Sequence, residues 1–444
     1  MRNPLAFMSD AAKGVSKVRE KPTKTVVFVC DSATIDGGAE RVALISALAA
    51  SKSGMDVVFF AGGDRIDRIL KAPNIKVVLT GSSHARTGSI NFKKIADSVW
   101  NNKNARLFEE TISGLDQVNS IIHLHSWSSA LSASILGPLC STRIPVVITA
   151  HEYGLACPNS CMFDFKKKTI CNRCPGSLKC LLANCDRSAY PVKLFRDIRY
   201  LLQLEKMKRI HPTIVHISTF EKNRLLPYLR FEHRDEDLKN PIDIGTSCDG
   251  NRPPSSVHEV DRWNLLQKKG RVLLFVGRLE YEKGADIFCE AAARLGYPAV
   301  IVGDGRMREE LESRYSDSIE FVGWVDSCGL RKVMESAEIF VMPSRWYEAS
   351  PLVTPEAQLS AALPLVVSDE CAAADDVEPG RNGLLFRTGD VDSLVSAILE
   401  VNDDYPVYKE GALLTREKVA ESRSIASYSA NLMKMYARVA GWKL

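Results

Sequence analysis

KTVVFVC (24–30) is a short, continuous run of mostly β-branched and aromatic residues. A strand buried on both faces reads this way, without the apolar–polar alternation of a half-exposed one. Gly37 and Gly38 follow, then a helix-like stretch from Ala39 to Ser51. The strand signal returns at DVVFFAG (56–62), IKVVLTG (75–81), SIIHLHS (120–126), PVVITAHE (145–152) and TIVHIS (213–218), with helical stretches at 92–114 and 190–210. Such alternation predicts a parallel, doubly wound sheet. A second series starts at RVLLFVG (271–277) and continues through PAVIVGDG (298–305), SIEFVGWV (318–325), AEIFVMPS (337–344) and LPLVVSD (363–369). The polar stretch 231–269, rich in charge, Pro and Ser, is expected to be a linker region. The architecture expected is therefore α/β, with two Rossmann-like doubly wound domains facing a cleft. The spans are a flexible tail over 1–23, a first domain over 24–235, a linker over 236–270 and a second domain over 271–425. A C-terminal helix over 426–444 is expected to return to the first domain.

Composition supports a large folded chain. The protein has 444 residues, 45% of them hydrophobic and 25% charged. This mixture excludes a disordered, collagen-like or coiled-coil chain, and the length excludes a scaffold that needs disulfides to fold. The net charge is only +4, but residues 162–209 hold twelve Lys/Arg against four Asp/Glu, a local +8. Six of the twelve cysteines fall between Cys157 and Cys185. Residues 1–24 lack the apolar core of a secretory signal, and no stretch approaches the ~20 apolar residues of a membrane span. The expected location is cytoplasmic, at or near the cytoplasmic face of the membrane. Clustered cysteines in a reducing cytosol favour metal ligands or catalytic thiols over disulfides.

Three motifs carry chemistry. GGAER (37–41) follows the first strand; two glycines let a ligand approach the backbone, and a helix N-terminus offers free N–H groups to a phosphate or sugar. An ordinary tight turn reads the same way. FVGRLEYEKG (275–284) places Arg278 and Lys283 five residues apart in a strand-to-helix loop. Arginine grips phosphate oxygens bidentately and lysine adds a point charge, so the pair suits a diphosphate. The alternative is two solvated cations. Glu348 and Glu356, in RWYEASPLVTPEAQ (345–358), are carboxylates able to accept hydrogen bonds from vicinal sugar hydroxyls.

In this order and spacing the motifs resemble glycosyltransferase family 4, and the resemblance extends over most of residues 24–425. TAHE (149–152), ISTFEKNRL (217–225), NPID (240–243), VGDG (302–305) and NGLLF (382–386) also fit that family. The stretch EAQLSAALPLVV (356–367) and the loop ECAAADD (370–376) depart from its glycine pattern. The resemblance implies the GT-B fold, retention of anomeric configuration and no catalytic metal. It implies that Arg278 and Lys283 hold the diphosphate of a nucleotide-diphosphate sugar. Glu356 would accept from the ribose, Glu348 would lie near the sugar hydroxyls, and His151 would hydrogen-bond the transferred sugar near the reacting centre. Gly37 and Gly38 would approach the donor phosphate and the acceptor. The acceptor would be a glycan or lipid-linked saccharide in polysaccharide or glycoconjugate biosynthesis. A nucleotide-sugar epimerase and a non-catalytic sugar-nucleotide-binding protein are the rival readings.

The cysteine-rich segment, a basic insert over 155–190, also resembles one branch of that family, whose cysteine pattern corresponds to Cys157, Cys171, Cys180 and Cys185. Four thiolates are compatible with a tetrahedral structural zinc; small buried hydrophobes are the alternative. The stretch 191–209 carries Lys193, Arg196 and Arg199 at i, i+3 spacing. This basic helix suits contact with an anionic membrane or lipid-diphosphate acceptor, or is simply a solvated cationic face. Nucleic acid is not expected as a partner, because the basic charge is confined and no recognised binding module is present.

Overall fold

The structure is a computed structural model, and it describes residues 23–82, 92–242 and 271–443. The tail over 1–22, most of the expected linker (243–270) and Leu444 lie outside the described residues. Two parallel sheets organise the chain. The first contains β1 (Thr25–Cys30), β2 (Asp56–Ala61), β3 (Ile75–Leu79), β4 (Ser120–Leu124), β5 (Val146–Thr149), β8 (Thr213–His216) and β9 (Arg234–Asp237). Their order is β3-β2-β1-β4-β5-β8-β9. The hairpin β6 (Phe163–Asp164) and β7 (Thr169–Ile170) belongs to the cysteine-rich insert. The second sheet contains β10 (Leu273–Val276), β11 (Ala299–Val302), β12 (Ile319–Gly323), β13 (Ile339–Met342), β14 (Leu365–Ser368) and β15 (Gly383–Phe386), in the order β12-β11-β10-β13-β14-β15.

Both sheets reverse strand order once, between β1 and β4 and between β10 and β13. At such a switch point the connecting helices leave on opposite faces and open a crevice beyond the strands' carboxyl ends. The strands are apolar on both faces because each sheet is covered twice. Val27, Val29, Ile122 and Ile148 pack on one side of the first sheet, and Val26, Phe28, Ile121 and Val147 on the other. The second sheet divides in the same way.

β9 lies inside the stretch whose composition reads as linker. Its sequence RDED is charged and largely exposed, so hydropathy gives no strand signal. The backbone ladder with β8 makes it a strand, and charge is tolerated because it is the sheet edge. Its side chains are paired: Asp235 with His216 at 2.9 Å, and Glu236 with Arg438 of the last helix. That helix, Ile425–Ala440, covers the first sheet. Tyr428 and Ser46 hydroxyls meet at 2.7 Å, and the Tyr436 hydroxyl lies 2.7 Å from His123 Nδ1.

Backbone crowding explains several motif glycines. Gly303 has φ +133, and a Cβ there would lie 2.0 Å from the Gly277 carbonyl oxygen. A Cβ on Gly305 would lie 2.4 Å from the Leu279 carbonyl oxygen. VGDG thus packs directly beneath the loop that carries Arg278 and Lys283.

Candidate active site between the two switch points

A cavity of about 410 Å³ lies between the domains. Gly37, Gly38 and Arg41 wall it on the first side; Gly277, Lys283, Ser344, Glu348 and Glu356 wall it on the second. The residues come from the loops after β1, β10 and β13, and from the start of the helix Val353–Ala361. Gly37 caps the 15-residue helix Gly38–Lys52 with extended backbone and no side-chain hydrogen bond. Gly37 has no side chain to cap this helix N-terminus, whose positive dipole end suits an anion or a hydroxyl. A Cβ on Gly38 would make an ordinary van der Waals contact, 3.5 Å, with Leu352 of the opposite domain, so the two domains lie close at this point.

Glu348 is buried, and one of its oxygens gathers three donors. Lys283 Nζ forms a short charged hydrogen bond to Oε1, Trp346 Nε1 donates at 2.7 Å and Ser344 Oγ at 3.1 Å. Burial pushes this carboxyl up, but the Lys283 charge and the three donors outweigh it and hold the group below the usual range. Glu348 is therefore ionised, with Lys283 as its counter-ion. Gly284, just after Lys283, takes φ +75, and a Cβ there would lie 1.9 Å from the Pro343 carbonyl oxygen. The loop position of Lys283 thus depends on glycine.

Glu356 is paired across the cleft with Arg41, Nη1 to Oε1 at 2.9 Å. Arg278 stands exposed at the end of β10, outside the residues that wall the cavity. The predicted Gly37, Gly38, Lys283, Glu348 and Glu356 are brought together, with Arg278 on the same loop as Lys283.

His151 lies elsewhere, in a smaller recess with His125, Trp127, Glu152 and Gln203. His125 Nδ1 and His151 Nε2 are 2.9 Å apart. His123 lies behind, its ring tilted against that of His125 with centroids 4.2 Å apart, and its Nε2 2.8 Å from Thr149 Oγ1. Burial lowers the pKa of His123 and of His151 to about 3, and lowers that of His125 well below its ordinary value. All three imidazoles are neutral near pH 7 and can act only as neutral hydrogen-bonding groups. Asp31, at the end of β1, shapes this region by accepting backbone N–H bonds from Ser129, Ala130 and Leu131.

Cys157, Cys171, Cys180 and Cys185 all line one small pocket in the insert, together with Arg173 and Lys193. Among the described residues, however, no three His, Cys, Asp or Glu side chains are arranged to hold a metal ion. The expected zinc set is not assembled. Burial holds the Cys157 thiol at about 12 and the Cys185 thiol at about 11, so both are protonated at neutral pH. The cation seated here is Lys193, bonded to the carbonyls of Cys180 (2.5 Å) and Leu181 (2.9 Å) and to Asp197 (2.6 Å).

Lys193 is also the first residue of the expected basic face, and that face is reversed. Arg196 bonds buried Asp186 at 2.7 Å, and Arg199 donates to the Ser128 carbonyl at 2.6 Å. All three cations turn inward. Leu194, Ile198 and Leu201 of the same helix, Tyr190–Ile210, are instead 40%, 49% and 44% exposed.

Residues 270–404 match the family model described as glycosyl transferases group 1. The structure superposes on sucrose-phosphate synthase from Thermosynechococcus elongatus with a TM-score of 0.71 at 18% identity, covering 95% of this chain and 100% of that one. Anabaena HepE in complex with UDP superposes with a TM-score of 0.62 at 14% identity, covering 93% and 100%. The fold is GT-B. Within this GT-B chain the cavity lies between two domains that each present a switch point. Among curated proteins, the Escherichia coli UDP-Gal:alpha-D-GlcNAc-diphosphoundecaprenol alpha-1,3-galactosyltransferase is 31% identical over 152 residues, 31% of this chain and 38% of that protein. Glycogen synthase of Mycobacterium tuberculosis is 32% identical over 172 residues, 36% of this chain and 41% of that protein. These matches therefore span about two fifths of each relative's length.

Sequence reasoning assigned no role to Arg41, His125, Ser344 or Trp346. Arg41 closes the GGAER motif and His125 stands next to the end of the strand signal SIIHLHS, so position alone could have flagged both. Their partners, Glu356 and His151, become visible only in three dimensions. The buried imidazoles carry a measurable consequence. Near pH 8 they are neutral folded and unfolded, and contribute nothing to pH dependence. As pH falls below 6.5 the unfolded chain takes up protons that the folded rings refuse until about pH 3, so stability falls with pH across that window. By pH 5 the loss is about 2 kcal/mol for each fully buried ring. Urea unfolding at pH 8 and pH 5 checks this: the drop should shrink in His123→Asn, and an equal drop in that variant would contradict the assignment.

Proposed function

We propose that the protein is a glycosyltransferase, moving a sugar from a nucleotide-diphosphate donor to a hydroxyl of a glycan or lipid-linked saccharide, with retention of configuration. The observation that carries this reading is the pairing Lys283–Glu348 and Arg41–Glu356 around one cavity at two switch points. Two carboxylates suited to sugar hydroxyls and two cations suited to phosphate already stand there, each occupied by the other. A diphosphate entering the loop after β10 competes with Glu348 for Lys283 and meets Arg278 beside it. Glu348 is then free to accept from a sugar hydroxyl, and Glu356 from the ribose.

In the transfer, the bond between the anomeric carbon and the diphosphate oxygen breaks, and a bond from the acceptor oxygen to that carbon forms. The acceptor proton leaves with the nucleotide diphosphate. Lys283, Arg278 and the helix N-terminus at Gly38 stabilise the charge that grows on the departing group, and no catalytic metal enters the scheme. His151, expected near the reacting centre, stands in the separate recess with His125 and takes no step in this scheme. The solved HepE complex names UDP, and the Escherichia coli relative names a UDP-sugar donor and a diphosphoundecaprenol-linked acceptor; both support this class of donor and acceptor. Lys283→Ala and Glu356→Ala should each lower transfer from the cognate donor by about 100-fold or more, measured by product formation with purified protein. Full activity in both variants would refute the site, and donor isomerisation without transfer would favour an epimerase.

The acceptor side fits peripheral attachment to the cytoplasmic leaflet, through apolar rather than basic contacts. No described helix is long and apolar enough to cross a membrane. Leu194, Ile198 and Leu201 recur at i, i+4 and i+7 on one exposed helix face. Leu178 and Leu182 are 70% and 67% exposed on the short helix that Lys193 ties to it. Exposed Lys179 follows Leu178, and exposed Lys208 and Arg209 lie two turns beyond Leu201 on the same helix, Arg209 paired with Glu205 at 3.2 Å; cations near an apolar face suit an anionic lipid surface. The wild-type protein should co-sediment with phosphatidylglycerol vesicles more than with phosphatidylcholine vesicles. Leu194→Glu/Ile198→Glu should reduce that binding at least about tenfold. Unchanged binding, or a change of oligomeric state instead, would overturn the membrane assignment.

A further inference from the structure

The cysteine-rich insert crosses to the second domain at the turn that carries Lys283. Glu282 precedes Lys283 in the short turn Tyr281–Lys283, and its carboxylate is buried. A buried carboxylate needs a counter-charge. Among the described residues its ion-pair partner is Arg187, which comes from the insert of the first domain.

Arg187 is firmly mounted. The preceding Asp186 is fully buried, accepts from Arg196 at 2.7 Å and accepts from the Ser188 backbone N–H at 2.8 Å. The Cys185 carbonyl accepts from the Phe165 N–H at 3.1 Å and from Asn159 Nδ2 at 3.3 Å. The guanidinium of Arg187 lies over the Phe165 ring at 4.7 Å. Two further contacts reach the same region of the second domain. Lys168 Nζ sits 4.4 Å from the centre of the Tyr281 ring, and Phe165 meets Trp346 edge-on at 6.5 Å. Trp346 in turn donates to Glu348. On its own domain the turn is held by Arg345, whose N–H groups bond the carbonyls of Glu282 (2.8 Å) and Tyr281 (3.0 Å).

We propose that Arg187 is a positioning residue for the donor: the insert clamps the turn Tyr281–Lys283 across the cleft and fixes where the Lys283 ammonium stands when a nucleotide-diphosphate sugar enters. The donor in this statement rests on the transferase reading above; the clamp itself rests on the cross-domain contacts. The two domains would then be coupled through one buried carboxylate. Opening the cleft strips Glu282 of its counter-charge, so the ordered turn and the apposed domains stabilise each other. A change in the acceptor-side domain should therefore appear in donor kinetics.

The test uses the full chain and two readouts. Arg187→Gln should raise the donor KM at least about fivefold while leaving the acceptor KM within about twofold, and Arg187→Lys should recover much of the loss. The charge swap Arg187→Glu/Glu282→Arg should be closer to wild type than Arg187→Glu alone. Independently of any activity, amide hydrogen exchange at 281–284 in the ligand-free protein should be at least about tenfold faster in Arg187→Gln. Unchanged exchange together with an unchanged donor KM would overturn the clamp, as would an equal rise in both KM values, which marks general loss of the insert's structure. If the wild type shows no transfer at all, the functional reading fails, while the exchange measurement still decides the clamp.

Discussion

The charged hydrogen bond between Lys283 and Glu348 is the interaction on which the site depends. It keeps a buried carboxylate ionised, and it parks a cation where a diphosphate can claim it. Its geometry follows from the fold. Lys283 belongs to the turn after β10, Glu348 to the loop after β13, and those strands are adjacent because the sheet reverses order between them. Gly284 allows the turn to pass Pro343, where any side chain would collide with a carbonyl oxygen. The first domain repeats the logic with β1 and β4. The two crevices face each other, so Arg41 reaches Glu356 across 315 residues of sequence.

Much of this was legible in the sequence for a simple physical reason. Strands sandwiched between two helical layers are apolar on both faces, and KTVVFVC or AEIFVMPS has few other ways to be satisfied. Residues just beyond such strands are exposed at the crevice by topology, so Lys283, Glu348, Gly37 and Gly38 could be placed before any coordinate. β9 was not legible, because it is a charged, largely exposed edge strand and only its backbone ladder with β8 makes it a strand. The pairings Arg41–Glu356 and His125–His151 were not legible either, since they depend on how distant loops are brought together.

The helix Tyr190–Ile210 shows the limit of reading charge from spacing. Lys193, Arg196 and Arg199 look like a cationic face, yet each has an acceptor inside: Asp197 and two carbonyls, Asp186, and the Ser128 carbonyl. Paired cations bury readily, and the leucines of the helix are left outside. The same inward turn explains why the cysteine pocket holds an ammonium group among its thiols. The insert is knitted by Lys193 and Asp186, and its rigidity is what lets Arg187 project onto the neighbouring domain.

A crystal structure of the protein soaked with UDP, GDP or ADP tests the central claim most directly. The account predicts diphosphate oxygens within hydrogen-bonding distance of Lys283 and Arg278, the ribose hydroxyls on Glu356, and the Lys283–Glu348 and Arg41–Glu356 pairs loosened to admit them. A nucleotide bound away from the interdomain cavity, with both ion pairs intact, would contradict it.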